Sequence, residues 1–191
     1  MYEAVGLLEL DSIATGIEVA DVMIKAAPVD FIDAFMVTPG KYIVLVHGDP
    51  TSVGASVDAG REVAGAALLD TLVIPFVHHQ VFAAIRTPRA ATLDTALGFV
   101  ETGTVATGIV AADDAAKAAE VELLALHLAR GIGGKSILTL AGSLPDVQAA
   151  VEAGSRAARA AGRLVATRIL ANPHPDLVRQ LGGKNLPPVE A

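Results

Sequence analysis

An α+β fold built from two tandem β-α-β-β-α-β units is predicted by three observations. The 191-residue chain is written twice: Gly6 to Ala27 and Gly98 to Ala119 agree at eleven of twenty-two positions with a constant offset of 92, and a repeat of this length is one supersecondary unit used twice. Within each copy, short β-rich runs alternate with longer helical patterns. The chain is 52% hydrophobic but only 4% aromatic. That apolar content is largely Ala and Val, which suits close packing of helices on a sheet.

In the first unit the run from 5 to 10 is a short apolar strand, and the small and hydroxyl residues from 12 to 16 read as a turn. A helix follows from 17 to 27, with Ile17, Ala20, Val22 and Ile24 towards one side and Pro28 ending it. The β-rich runs 31–37 and 42–46 are separated by T-P-G-K, a hairpin-like turn. Asp49-Pro50-Thr51 opens a second helix running to about 69, because Pro is tolerated in a first turn and Asp or Thr can take up free amides. A fourth strand spans 72–74, and 78–85 reads as a short closing helix. The second unit repeats this order, with Leu144-Pro145-Asp146 opening its second helix. Such an order is that of the ferredoxin-like arrangement, one sheet with both helices on one face. The domains are placed at 1–86 and 97–182. A polar, Pro-containing linker at 87–96 joins them, and a tail at 183–191 is expected to be poorly ordered.

Composition removes several classes of function. The absence of Cys excludes disulfides, thiolate chemistry and Cys-ligated metal clusters. A net charge of −7 speaks against nucleic acid or an anionic membrane as partner, since both need a basic footprint. No apolar run reaches the roughly 20 residues of a membrane-spanning helix. The acidic start M-Y-E-A-V lacks a basic n-region, so no secretory signal is expected and a cytosolic protein is the reading.

The stretch A-R-G-I-G-G-K-S (129–136) nearly fits a phosphate-binding loop, with Ala129 in place of the first Gly. Such a loop must lead into a helix whose amides bind the phosphates. Here S-I-L-T-L-A-G follows, an alternating run that reads as a strand, and its twin K-Y-I-V-L-V-H-G reads more clearly still as one. The glycines therefore sit in a strand-to-strand hairpin whose backbone must approach something closely.

Both units resemble the bacterial microcompartment shell domain. The features that carry the resemblance are the opening G-x-x-E, the segment A-T-G-I-x-x-A-D-x-x-x-K-A-A, the glycine hairpin and the N-P-H-P ending of the second unit. Two copies in unpermuted order resemble the tandem-domain, trimeric shell proteins. That resemblance implies a homotrimeric, pseudo-hexameric structural tile with a central pore for small polar metabolites, assembled with other shell proteins (hexamers and pentamers). It implies no catalysis and no cofactor.

By the same resemblance, Thr38, Pro39 and Gly40 alternate around the pore with Gly131, Ile132, Gly133 and Gly134, while Lys25 and Lys117 lie at the tile edge. In the propanediol-utilisation type, a Cys just before Pro-Gly-Lys holds an iron–sulfur cluster. Thr38 stands there in this chain, so the position transfers and the cluster does not. Shell domains often pair the edge Lys with an Arg before the final Pro-His; Phe76 and Asn172 occupy those places here.

Other constellations read as structural. Five His show no helical metal-ligand spacing. The repeated Glu9/Glu101 and Asp21/Asp113 are expected to make ion pairs and hydrogen bonds within each unit, since a general acid or base needs a pocket partner. Two other functions remain open at this point: a small-molecule-binding regulatory protein on tandem ferredoxin-like domains, and a nucleotide-binding enzyme using Lys135.

Overall fold

A computed structural model describes residues 3–91 and 95–181. The middle of the expected linker and the expected tail at 183–191 lie outside the described residues. The chain divides into two compact units, the first ending at Val77 and the second beginning at His78.

The first unit runs β1 (Ala4–Leu10), α1 (Ile13–Ala26), β2 (Asp30–Val37), β3 (Lys41–Gly48), α2 (Pro50–Ala64) and β4 (Leu68–Ile74). Its four strands form one antiparallel sheet in the order β2-β3-β1-β4. Both helices lie on one face, where Leu8, Leu10, Val44 and Val46 of the sheet meet Val19 and Met23 of α1 and Val53 and Val57 of α2. The second unit has the same plan. Its elements are β5 (Ala96–Thr102), α4 (Val105–Ala118), β6 (Glu122–Leu128), β7 (Ser136–Gly142), α5 (Leu144–Ala160) and β8 (Leu164–Leu170), with strand order β6-β7-β5-β8. Two more helices, α3 (His79–Arg86) and α6 (Pro175–Leu181), follow β4 and β8.

Helix α1 starts four residues before the position read from sequence. Ser12 is its N-cap, its hydroxyl accepting the Thr15 amide at 3.3 Å; Thr104 caps α4 in the same way through Thr107. The small and hydroxyl residues that suggest a turn are thus a cap and a first helical turn. Helix α2 stops at Ala64, short of the expected 69, because Gly65 turns to φ 49° and a single 3₁₀ turn (Gly65–Ala67) leads straight into β4. That strand begins at Leu68 rather than 72, with Leu69 set out of register in a bulge opposite Glu9 and Leu10.

The glycine of A-T-G-I has a packing reason. A Cβ on Gly16 would come within 2.4 Å of Tyr42 Cβ, and one on Gly108 within 2.4 Å of Ser136 Cβ. Each first helix is therefore pressed against the root of the strand that leaves the hairpin.

Helix α3 closes the first repeat in sequence, yet it packs against β6 and α4 as part of the second unit. The packing division after Val77 thus precedes the sequence boundary at 86. The Gln80 side chain is the clamp: its Nε2 donates to the Val121 carbonyl at 3.0 Å and its Oε1 accepts the Leu123 amide at 2.8 Å. Both groups belong to the outer flank of an edge strand, which would otherwise lack partners. The His78 ring caps α3 through Nδ1, which accepts the Gln80 amide, and the His78 amide donates to Asp113 Oδ1 at 2.7 Å.

Two measurements test this packing. Gly108→Ala forces a methyl into filled space and should lower stability by about 1–3 kcal/mol. Gly54→Ala, in helix α2 with nothing within 4 Å of its Cβ, should raise stability by roughly 0.5–1 kcal/mol, both read from denaturant midpoints. Burial first, then His79, holds His78 below its ordinary 6.5, with Lys117 adding to this and Asp113 opposing it. A His with a depressed folded pKa stabilises above its unfolded pKa, and that contribution is lost as pH falls through the folded one. Acidification below about pH 6.5 should therefore loosen α3, seen as lower amide-exchange protection factors in 79–86, each rate taken relative to the intrinsic rate at its own pH. His78→Asn, a cap that does not titrate, should flatten that dependence.

Candidate functional site

The two hairpins form the candidate site. In the first, β2 and β3 stay paired up to Val37 and Lys41. Residues Thr38, Pro39 and Gly40 make the turn, all three exposed. The Gly40 amide donates to the Val37 carbonyl at 2.9 Å, and Gly40 takes φ 96°, a conformation open to glycine.

The second hairpin joins β6 to β7 between Leu128 and Ser136, so the near-Walker stretch leads into a strand. The offset between twin residues widens from 92 before the hairpin to 94 after it, so this turn carries two extra residues. Gly131 and Gly133 are exposed, Ile132 is half-buried and Gly134 is buried. Ala129 is buried and adopts φ 56°, which a side-chain-bearing residue rarely does. Its amide donates to the Lys135 carbonyl at 2.8 Å, and its carbonyl accepts from Ile132 and Gly134. The His127 ring meets the Arg130 carbonyl at 2.6 Å, bracing the same turn.

Each hairpin is anchored by the same ion pair. Lys41 Nζ lies 2.8 Å from Glu9 Oε1, and Lys135 Nζ lies 2.8 Å from Glu101 Oε1. Lys135 is thus tied to the neighbouring strand. The pairs differ in environment: the Glu9 side chain is 1% exposed with its Oε2 unpartnered, whereas the second pair is solvated.

The two edge lysines also recur in equivalent settings. Lys25 reaches Asp21 Oδ2 and Lys117 reaches Asp113 Oδ2, both at 2.5 Å and one helical turn apart. Lys25 is 72% exposed, while Lys117 is more covered and its Asp113 is buried. The repeated acids therefore make ion pairs within their units, as their recurrence predicts. Asp114, which sequence reading does not single out, is pushed up by burial and by Asp113, against the pull of Lys117 and Arg156.

The five histidines are dispersed. His78 and His79 are in ring contact at 4.4 Å, His47 lies near Glu3, His127 meets a carbonyl and the His174 ring accepts the Asp176 amide. Among the described residues no three His, Asp or Glu side chains are grouped to hold a metal ion, and no helix is long and apolar enough to cross a membrane. Sequence reading misses Gln80, whose role depends on a strand 43 residues away.

Two copies of one antiparallel α/β unit, each presenting an ion-pair-anchored hairpin between its second and third strands, define a duplicated-domain protein. The BMC domain family model matches residues 4–77 and again 96–173. The chain belongs to the BMC domain family, as a member with two domains in tandem. It is 40% identical to the bacterial microcompartment shell protein PduT of Citrobacter freundii, over 95% of this chain and 98% of that one. A crystal structure of a microcompartment protein from Desulfitobacterium hafniense DCB superposes with a TM-score of 0.87 at 46% identity, covering 94% of this chain and 99% of the other. The carboxysome shell protein CcmK2 of a Synechocystis species is 37% identical over 85 residues, which are 42% of this chain and 82% of its own.

The contrast between the anchoring pairs is measurable. Lys41→Met leaves a buried carboxylate without its cation and should cost about 3–5 kcal/mol. Lys135→Met breaks a solvated pair and should cost about 1 kcal/mol or less. Chemical denaturation of the two variants compares them directly.

Proposed function

We propose that this structural shell component of a bacterial microcompartment assembles as a homotrimer, a pseudo-hexameric tile with a central pore. The observation that carries the reading is the repetition of one hairpin, with one Lys-Glu anchor, in two units of a single chain. Three such chains supply six similar wedges, and closed rings arise from heterologous interfaces that return to their start. The tandem relative PduT, matched along nearly its whole length, is itself a shell protein.

Around the axis, Thr38, Pro39 and Gly40 alternate with Gly131, Ile132, Gly133 and Gly134. The exposed part of this rim includes the Thr38 hydroxyl and the backbone of Gly40, Gly131 and Gly133, while Gly134 lies buried behind it. Because Lys41 and Lys135 are each neutralised by a Glu, neither leaves an unbalanced charge at the hairpin base. Such a lining suits small polar metabolites. Thr38 can hydrogen-bond to them but has no thiolate to hold iron.

At the tile edge, Lys25 is free enough to meet a neighbouring tile, whereas Lys117 is more tightly held by Asp113. Other shell proteins, hexamers and pentamers, are the partners, and the compartment shell in the bacterial cytoplasm is the location. The role is structural, with no catalytic step. A small-molecule-binding regulator on tandem ferredoxin-like domains is not favoured, because the relative matched over 95% of the chain is a shell protein.

Light scattering of the purified protein should give three times the mass of the 19.5 kDa chain, with six-lobed discs in negative-stain micrographs; a monomer at all concentrations would overturn the tile. Thr38→Cys tests the pore. Anaerobic reconstitution should place one iron–sulfur cluster per three chains, and thiols that bind none in an intact trimer would remove Thr38 from the axis.

A further inference from the structure

Twin positions in the two units carry similar side chains but differ in exposure. On the first helix of each unit, Ile109 is buried while Ile17 is 56% exposed. On the second strand, Leu123 and Leu128 are buried while their twins Phe31 and Met36 are 42% and 65% exposed. Strands β2 and β6 occupy the same edge of their sheets, so the difference lies in what covers them.

In the second unit the covering element is visible. Helix α3 lies against β6 and α4, with Gln80 bonded to Val121 and Leu123 and with Val81 and Ala84 buried. Helix α3 is the closing helix of a repeat, and α6 is its twin: His78 and His174 fall opposite one another, and each caps its helix through Nδ1. On that alignment Leu177 of α6 stands where Val81 stands in α3. Val81 is buried, but Leu177 is 41% exposed.

Among the described residues, a single chain thus leaves open two apolar surfaces whose twins are covered, the α1/β2 face and Leu177 on α6. Both are twins of surfaces that meet inside the second unit. We propose that they meet between copies: the α1/β2 face of the first unit receives helix α6 of a second copy of this chain. The contact is head-to-tail, with different patches on the two partners, the kind that closes into a ring. It rests on the trimeric reading and specifies which residues join the copies.

The twin contact also predicts a difference in detail. Asp176 occupies the place of Gln80, so its carboxylate can accept the Phe31 amide but has no donor for the Val29 carbonyl. The contact between copies therefore leans more on Leu177, Phe31 and Met36 than its counterpart leans on apolar burial.

The chain has no Cys, which makes the test clean. Phe31→Cys and Leu177→Cys are combined in one chain and treated with a short bismaleimide at native concentration. The expected result is a covalent ladder ending at three chains on a denaturing gel. A native trimer that yields no ladder, or links only within one chain, overturns the docking assignment and leaves the ring reading standing. A parent protein that is monomeric by light scattering overturns both. Leu177→Asp is a second variant at an exposed position. It should keep its circular dichroism spectrum and weaken association by at least about tenfold, since an unpaired carboxylate would be buried; unchanged association would overturn the assignment.

Discussion

The close approach of the first helix to the strand leaving the hairpin constrains everything else in each unit. At Gly16 and Gly108 there is no room for a methyl group, so helix and strand lie at a separation no other residue permits. The capping hydroxyls of Ser12 and Thr104 fix where each helix begins, four residues before that contact. The strand so held starts with Lys41 or sits just past Lys135, and each Lys is tied to the Glu of the unit's first strand. The hairpin projects from a root locked on two sides. Its tip stays exposed because its base is packed.

The two units share this frame and differ in how much is left to water. In the first, Glu9 of the Glu9–Lys41 pair is buried with one carboxylate oxygen unpartnered, while α1 and β2 carry exposed Ile17, Phe31 and Met36. In the second, the ion pair is solvated and the equivalent apolar side chains are buried. A duplicated domain that meets different surroundings at its two positions has reason to diverge in this way. On the proposed docking, the exposed member of each pair is what a second copy covers.

Much of the fold could be read from the sequence, and the exceptions have physical reasons. Repeat, element order and strand hairpins follow from periodicity and from eleven shared residues in twenty-two, which local patterns carry fully. The start of α1 is misread because Ser12 and Thr15 serve equally well in turns and in caps, and only the hydrogen bond to the Thr15 amide distinguishes them. The end of α2 is misread because A-G-A-A-L-L keeps an apolar, helix-compatible character past Gly65. The docking of α3 is invisible locally, since the amphipathicity of a short helix does not say which sheet it will cover. Of the site, the Glu and Lys partners were legible as recurring residues, whereas the rim and edge roles came from resemblance alone.

The membership of α3 in the second unit also bears on how the chain is made. As the polypeptide leaves the ribosome, residues 79–86 emerge about 40 residues before the β6 backbone that Gln80 clamps, several seconds at ordinary synthesis rates. During that interval Val81 and Ala84 have no sheet to cover. A gene cut within the 87–96 linker to express the second domain alone would leave the Val121 carbonyl and Leu123 amide bare at an open sheet edge. A cut just ahead of His78 would carry the helix along with the strand it protects.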